Sequence, residues 1–379
     1  MSTPMIPFNR PAIVGKELEY IQDAIDRRQL SGDGYYTEQC QAWINRTVGC
    51  QASLLTHSCT AALEMAVILA GIEPGDEVIM PSYTFVSTAN AVVLRGGIPV
   101  FIDIREDTLN MNENLVEAAI TPRTKAIITV HYAGVGSEMS ALRKIADTRG
   151  LILIEDAAQA LGSTYEGKQL GTLGHLAAVS FHETKNITCG EGGALLINDP
   201  AMIERAEIIR EKGTNRKRFF RGQVDKYTWV DMGSSFLPGE LNAAFLFGQL
   251  EKVPEVTARR LADWNYYYET FSAFNTDGLR LPIIPSNCEH NGHLFYLLLP
   301  TEADRSAFIA HMKAGSIMSP FHYVPLHSSP GGQRFARVNS SMELTDSLSE
   351  RLVRLPLYFT LGQDVERVID IASDFVSRL

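Results

Sequence analysis

Between about residue 55 and residue 200, short apolar runs rich in β-branched residues alternate with stretches of helical spacing. Glu77–Met80, Val100–Ile104, Ala126–His131, Leu151–Asp156, Ala178–Phe181 and Ala194–Ile197 read as strands, most of them closed by Gly, Pro, Asp or His. Ala61–Leu69, Asn112–Ile120 and Ser137–Thr148 carry the apolar spacing of helices. Strands that are apolar at nearly every position, instead of at every second one, belong to a sheet covered on both faces. The pattern therefore predicts an α/β domain around a mostly parallel sheet. In such sheets ligands bind beyond the carboxyl ends of the strands, so the residues just after each run are where chemistry is expected.

Further along, Ala201–Lys212 reads as a helix and is followed by a basic, aromatic loop, Asn215-Arg-Lys-Arg-Phe-Phe-Arg221. Pro238–Leu250 is a helix with its proline near the start, and residues 256–275 form a long helix carrying Trp264, Tyr266, Tyr267 and Tyr268. Beyond it the texture changes to a strand at His293–Leu299, a helix over Asp304–Lys313 and the apolar segment Ile317–Val324. This predicts a large α/β domain over residues 1–250 and a smaller α+β domain over 251–379. No repeat and no low-complexity segment interrupts either.

The chain has 379 residues, which suits two domains. Hydrophobic residues make up 45% and charged ones 21%, enough to bury a sizeable core. With 34 Lys and Arg against 44 Asp and Glu, the net charge is −10, which argues against nucleic acid or an anionic membrane as the main partner. No apolar run reaches the roughly 20 residues of a membrane helix, and Met1–Arg10 lacks the apolar centre of a secretory signal. The five cysteines have no CxxC spacing, so neither a disulfide framework nor a zinc site is indicated. A cytoplasmic protein is expected, with no metal.

Three features carry candidate chemistry. Asp156 ends the apolar run Leu151-Ile-Leu-Ile-Glu-Asp156; a carboxylate there is costly to bury unless a cation or hydrogen bonds hold it, though a helix cap is the other reading. Lys185 follows a β-run and precedes the glycine-rich Gly190-Glu-Gly-Gly193; alone it reads equally as a surface lysine. Thr56-His-Ser-Cys-Thr60 opens a helix with unpaired N–H groups, a phosphate site or simply a good cap. Together a phosphate turn, a carboxylate for a pyridine nitrogen and an imine-forming lysine are the parts that pyridoxal phosphate requires.

The segments Ser58-Cys-Thr-Ala-Ala, Pro81-Ser-Tyr-Thr-Phe-Val-Ser-Thr-Ala-Asn90, Glu155-Asp-Ala-Ala-Gln159 and Ser180-Phe-His-Glu-Thr-Lys-Asn with Gly190-Glu-Gly-Gly193 resemble the DegT/DnrJ-type sugar aminotransferases. The resemblance runs from Ile6-Pro-Phe-Asn to Leu355-Pro-Leu. It implies the fold-type I pyridoxal-phosphate fold (aspartate aminotransferase-like), pyridoxal 5′-phosphate as cofactor and a homodimer. It further implies Lys185 as the Schiff-base lysine, Asp156 as partner of the pyridine nitrogen, Gln159 beside the 3-hydroxyl and Phe85 stacked on the ring. Cys59, Thr60 and Ser180 would hold the phosphate. Cys59 stands where the family's turn has glycine. Gly233-Ser-Ser-Phe-Leu237 stands where Gly-Tyr-Asn-Tyr-Arg is usual, so that Ser235 takes the place of the asparagine that reaches the partner subunit's cofactor phosphate.

Within the family, Phe181-His-Glu-Thr-Lys-Asn and the stretch Arg210–Trp229 most resemble members that form dTDP-4-amino-4,6-dideoxygalactose. That implies a dTDP-linked 4-keto-6-deoxy sugar as acceptor, L-glutamate as donor and a role in cell-surface polysaccharide synthesis. Arg221, Lys226 and Tyr227, in the basic aromatic loop, are candidates for the nucleotide diphosphate, or else a solvated surface. His322 and Tyr323 are candidates for the sugar, with a structural histidine as the other reading. His131 and His182 read as hydrogen-bonded structural histidines. Amination at C3, or at C4 with opposite stereochemistry, is the alternative. A regulatory protein on the same fold is disfavoured by the Asp156/Lys185 pair, and a dinucleotide-binding dehydrogenase by the lack of Gly-x-Gly-x-x-Gly.

Overall fold

The computed structural model describes residues 4–379; Met1–Thr3, part of the segment read above for a signal, lie outside the described residues. Its main sheet has eight strands: β1 (Ala52–Thr56), β2 (Glu77–Pro81), β3 (Ile98–Ile102), β4 (Thr124–Val130), β5 (Ile152–Asp156), β6 (Leu176–Ser180), β7 (Gly193–Ile197) and, from far along the chain, β9 (Arg337–Val338). A second sheet pairs β8 (Phe295–Leu298) with β10 (Leu352–Leu355), antiparallel. The spatial order of the main sheet is β1-β7-β6-β5-β4-β2-β3-β9. All its pairings are parallel except those of β7, which runs antiparallel to both β1 and β6.

Each of the six expected strands in this region is present, displaced by a residue or two at its ends. Their unbroken apolarity has the anticipated cause. In β2, Val78 and Met80 join the cluster on one face while Ile79 joins the cluster on the other; Ile154 and Leu153 divide in the same way. The expectation missed β1, whose Ala52-Ser-Leu-Leu-Thr56 precedes the first run recognised. Asn112–Ile120 is not one helix but a 3₁₀ turn at Glu113–Leu115 followed by a single turn at Val116–Ala119. Ile317–Val324 contains no strand, only a bridge from Ile317 to Ile6.

The helices relevant to the site are α1 (Cys59–Leu69), α2 (Val86–Val93), α3 (Ile203–Arg210), α4 (Glu240–Leu250) and α5 (Val253–Ser272). Ser58 begins α1 with an extended backbone and accepts a hydrogen bond from Ala61 N at 3.1 Å. The long α5 leads to the smaller sheet, where Phe295, Leu297, Val353 and Leu355 form a core with Trp264, Tyr267, Phe308 and Met312. Tyr83 and Tyr132, from loops after β2 and β4, pack on Tyr296 and Leu352 and join the two sheets' cores. No described helix is long and apolar enough to cross a membrane.

Candidate active site

A cavity of about 610 Å³ opens at the carboxyl ends of β1, β2, β4, β5 and β6, between the two sheets. It draws together the three separated features. The start of α1 (Ser58, Cys59 and Thr60), Asp156 and Lys185 all line it, with Phe85, Gln159, Ser180, His322 and Tyr323. Of the thirteen residues proposed from sequence, nine line this cavity; Arg221, Lys226, Tyr227 and Ser235 do not.

Asp156 is 5% exposed. Its Oδ2 accepts a hydrogen bond from Thr88 Oγ1 at 2.8 Å, and its Oδ1 one from Ala158 N at 3.2 Å. Burial pushes its pKa above the ordinary value, opposed by Thr88, Ala158 and the charge of Lys185. The helix-cap reading is thereby replaced: Asp156 braces its own turn and faces the cavity. Lys185 is half-buried on the loop between β6 and β7, and desolvation lowers its pKa from the ordinary lysine value. The loop is cross-braced by Phe181 N to Gly192 O, Cys189 N to Phe181 O and Glu183 N to Gly190 O, at 2.8–2.9 Å. It is therefore no surface lysine on a free loop.

The glycines in that loop have distinct reasons. Gly190 has φ +82°, a left-handed turn position. Gly193 lies against the α1 turn so closely that a Cβ would stand 2.5 Å from Cys59 N. Thr60 Oγ1 and Ser87 Oγ are 2.8 Å apart across the mouths of α1 and α2. Ser180 Oγ receives only a long bond from His182 N, 3.4 Å.

Gln159 is fixed at both ends: Oε1 accepts from Ala133 N at 2.7 Å, and Nε2 donates to the Tyr323 hydroxyl at 3.0 Å. Tyr323 has φ +31°, a strained value for a tyrosine. Its ring stacks on His322 with centroids 3.7 Å apart. His322 is buried, paired through Nδ1 with the Tyr132 hydroxyl at 2.7 Å, and held neutral because burial and the Arg354 charge lower its pKa. Phe85 is 56% exposed at the start of α2, on the open side of the cavity.

His131 proves structural, as expected: its Nδ1 accepts from Ser137 N at 3.2 Å, which leaves Nε2–H for Glu155 at 2.9 Å, both side chains fully buried. His182 does line the cavity, half exposed, with Nδ1 2.9 Å from Thr184 Oγ1.

Arg221, Lys226 and Tyr227 are exposed and do not line this chain's own cavity. Arg221 forms a two-pronged pair with Glu207 at 2.7 and 3.0 Å, and Arg216 and Arg218 pair with Glu211 and Glu204, so α3 largely neutralises the basic loop. Ser235 is likewise exposed and outside the cavity, bridged to Glu211. It does not cap the next helix, whose cap is Gly239.

Sequence reasoning passed over Thr88, Arg354, His293 and Arg260. Arg354 left a signal, a charge inside the apolar run Leu352-Val-Arg-Leu355. Thr88 left none, because its role depends on meeting Asp156 from a distant helix.

A mostly parallel sheet, a smaller domain beside it, and a lysine and buried carboxylate flanking a helix N-terminus define the fold-type I pyridoxal-phosphate enzymes. The DegT/DnrJ/EryC1/StrS aminotransferase family profile matches residues 11–373, and the chain belongs to this family. Among solved structures, the chain superposes on S. venezuelae DesV in complex with a ketimine intermediate at TM-score 0.89, with 32% identity over 100% of both chains. The aminotransferase TlmJ from Streptoalloteichus hindustanus matches at TM-score 0.90, with 28% identity over 99% of both chains. A DegT/DnrJ/EryC1/StrS aminotransferase from Brucella abortus matches at 0.87, with 26% identity over 95% of both. The protein is thus a pyridoxal-phosphate-dependent aminotransferase of the sugar aminotransferase family.

The residues present fit the cofactor. Gly193 leaves the backbone of Cys59 and Ser58 uncrowded, the α1 start offers N–H groups and a positive dipole end to a phosphate, and replacing the usual glycine by Cys59 removes no backbone donor.

Proposed function

We propose that this enzyme moves an amino group from L-glutamate to C4 of a dTDP-linked 4-keto-6-deoxy sugar, giving dTDP-4-amino-4,6-dideoxygalactose for cell-surface polysaccharide synthesis in the cytoplasm. The convergence of Asp156, Lys185 and the α1 start on one cavity carries the reading of the chemistry. The resemblance of Phe181–Asn186 and Arg210–Trp229 to C4-aminating members supports the choice of sugar.

Bound pyridoxal phosphate supplies a conjugated ring that accepts the electron pair left when a proton leaves the amino-bearing carbon. Asp156 carries the charge that keeps the ring nitrogen protonated, and a cation on its cavity side lowers the pKa that burial raises. Thr88 and Ala158 hold that carboxylate in place. Lys185 would bind the cofactor covalently, and its amine, whose pKa burial lowers, would remove and return the proton when free. Cys59, Thr60 and Ser180 hold the phosphate, Gln159 sits at the 3-hydroxyl and Phe85 covers the ring. His322 and Tyr323 face the sugar. Donor and acceptor use the same groups in turn, so steady-state kinetics are ping-pong.

In the assembly we assign a homodimer in which the loop carrying Arg221, Lys226 and Tyr227 borders the neighbouring cavity and Ser235 reaches the neighbour's cofactor phosphate. The two domains divide at 250/251.

The test incubates the enzyme with L-glutamate and, separately, dTDP-linked 4-keto and 3-keto 6-deoxy sugars, and identifies products by NMR. The 4-amino galacto product is expected. A 3-amino sugar, or the gluco epimer, overturns the sugar assignment while leaving the aminotransferase chemistry standing.

A further inference from the structure

Lys185 and His293 line one cavity with complementary needs. Among the described residues the Lys185 amine has no hydrogen-bond acceptor, only the more distant charge of Asp156. Its chain neighbour Asn186 donates Nδ2 to Asn291 O at 3.0 Å, which turns the amide oxygen Oδ1 toward His293 Nδ1, 3.0 Å away. An amide oxygen only accepts, so the imidazole proton lies on Nδ1 and Nε2 keeps a lone pair. Burial, with Lys185 the strongest of the charges felt there, holds the ring neutral. Nε2 receives no donor from any described residue. The backbone around it is clamped: Arg260 donates to the carbonyls of Gly292 and His293 at 3.0 and 2.6 Å, and Asn291 Nδ2 to those of Gln159 and Leu161 at 2.9 and 3.0 Å. Other acceptors in the cavity are engaged: Asp156 by Thr88 and Ala158, the Tyr323 hydroxyl by Gln159, His182 Nδ1 by Thr184 N and His322 Nδ1 by Tyr132.

We propose that His293 is a positioning residue for the proton-carrying amine of Lys185, its Nε2 accepting a hydrogen bond from that amine whenever Lys185 is not bound to the cofactor. In each half-reaction the freed amine takes a proton from one carbon and returns it to another, and between the two it is an ammonium. A partly desolvated ammonium is costly without an acceptor. A neutral lone pair supplies one and orients the amine, while the proton stays on Lys185 because burial keeps the imidazole from charging. Burial and the Arg354 charge, from β10, favour the free amine of Lys185; Asp156, at the end of β5, favours the ammonium. The Cys59 thiol, at the start of α1, is kept protonated by burial and adds no charge. A hydrogen bond to Nε2 favours the ammonium, since hydrogen bonding stabilises the form that donates. Asn186 couples the two residues, adjoining one in the chain and bonding the other. The inference rests on the aminotransferase reading but not on the identity of the sugar.

Two substitutions separate this role from a structural one. His293→Asn sets an amide where Nδ1 lies, keeping a donor for Asn186 but no acceptor at the Nε2 position. His293→Gln sets one where Nε2 lies, keeping the acceptor and losing the donor. Single-turnover conversion of holoenzyme by L-glutamate is followed by loss of the cofactor's visible absorbance. His293→Asn should slow it about tenfold or more, as for one hydrogen bond to a charged group, with half-saturating glutamate within about twofold of the parent's. The rate difference between L-glutamate and its α-deuterated form should widen, and His293→Gln should be the faster variant. A readout without turnover is the rate at which cofactor-free protein takes up pyridoxal phosphate covalently, whose pH midpoint reports the Lys185 amine. His293→Asn should lower that midpoint by about 1, because the ammonium loses its acceptor. An unchanged midpoint, an unchanged isotope effect, or a glutamine variant slower than the asparagine one, the mark of the Asn186 tie alone, overturns the proposal. If neither L-glutamate, L-glutamine nor L-alanine converts the parent, the aminotransferase reading fails, and the midpoint still decides on His293. If His293→Asn does not fold, His293→Gln decides: a midpoint close to the parent's supports the proposal and one lowered by about 1 overturns it.

Discussion

At the scale of single residues, the site joins groups with opposite electrostatic needs. Burial lowers the pKa of Lys185 and raises that of Asp156, so each is shifted toward its neutral form. A lysine with a freer amine is the better nucleophile and base. Lys185→Ala should therefore fold with an unchanged melting temperature yet lack the visible absorbance of covalently held cofactor and nearly all turnover; substantial steady-state transamination would falsify its role. Gly193 makes a different demand. A methyl group there meets backbone atoms of Ser58 and Cys59 at 2.5–2.6 Å, which cannot rotate away. Gly193→Ala is expected to open the phosphate turn and weaken cofactor retention at least tenfold, measured by titrating pyridoxal phosphate into cofactor-free protein. Unaltered affinity would mean that the turn relaxes without touching the phosphate.

At the scale of elements, the smallest strand of the main sheet is tied to a buried charge cluster outside the site. β9 is two residues long and lies parallel beside β3, at the sheet's edge. Its Arg337 donates Nε and Nη2 to the fully buried Glu77 at the start of β2, at 3.1 and 2.7 Å, joined there by Thr121 and Arg123. Arg337 holds the Glu77 pKa down to about 2, against its burial. A carboxylate with a depressed folded pKa contributes stability above its unfolded value, about 4.3, and loses it as pH falls toward the folded one. Glu77→Gln should thus cost about 3 kcal/mol at pH 7, the low end for a broken buried pair because Arg123 faces water. The gap between parent and variant should close as pH falls from about 4.5 to 2. Denaturant melts across that range check both sign and size; a gap constant with pH rules out the ion pair as its source.

At the scale of the whole molecule, the exposed surface speaks of a partner. Phe220, Tyr227 and Trp229 are 68%, 55% and 78% exposed within ten residues of one another. Large aromatics gathered this way on a surface mark an interface more than a solvated loop. Sedimentation should show a homodimer, and an active monodisperse monomer contradicts the assembly proposed here. Ser235 offers a finer check because it touches nothing in its own cavity and caps no helix. If it bonds the neighbour's phosphate, Ser235→Ala should weaken cofactor affinity by a factor of about 2 to 150, as expected for one hydrogen bond. Melting of the cofactor-free protein and turnover at saturating cofactor should not change. Silence in the titration means that the cross-subunit contact is absent.

What the sequence determined by itself follows from short-range rules. Unbroken apolar runs such as Val78–Met80 and Leu153–Ile154 made a sheet covered on both faces unavoidable, and strand ends at Asp156 and Ser180 do border the cavity. The motif resemblance then identified the cofactor. Tertiary structure alone decided the rest. β1 escaped notice because Ala52-Ser-Leu-Leu-Thr56 is too short and mixed to stand out until Gly193–Ile197 pairs with all five of its residues. The ion pairs of the basic loop could not be foreseen because its partners, Glu204 and Glu207 on the preceding helix and Glu211 at its end, point in directions that spacing to the loop does not give. Thr88, 68 residues from Asp156, and Arg354, on a strand of the other sheet, join the site only when both sheets are folded. Long-range contacts of this kind depend on where the chain returns in space, and no local pattern of hydrophobic and polar positions encodes that.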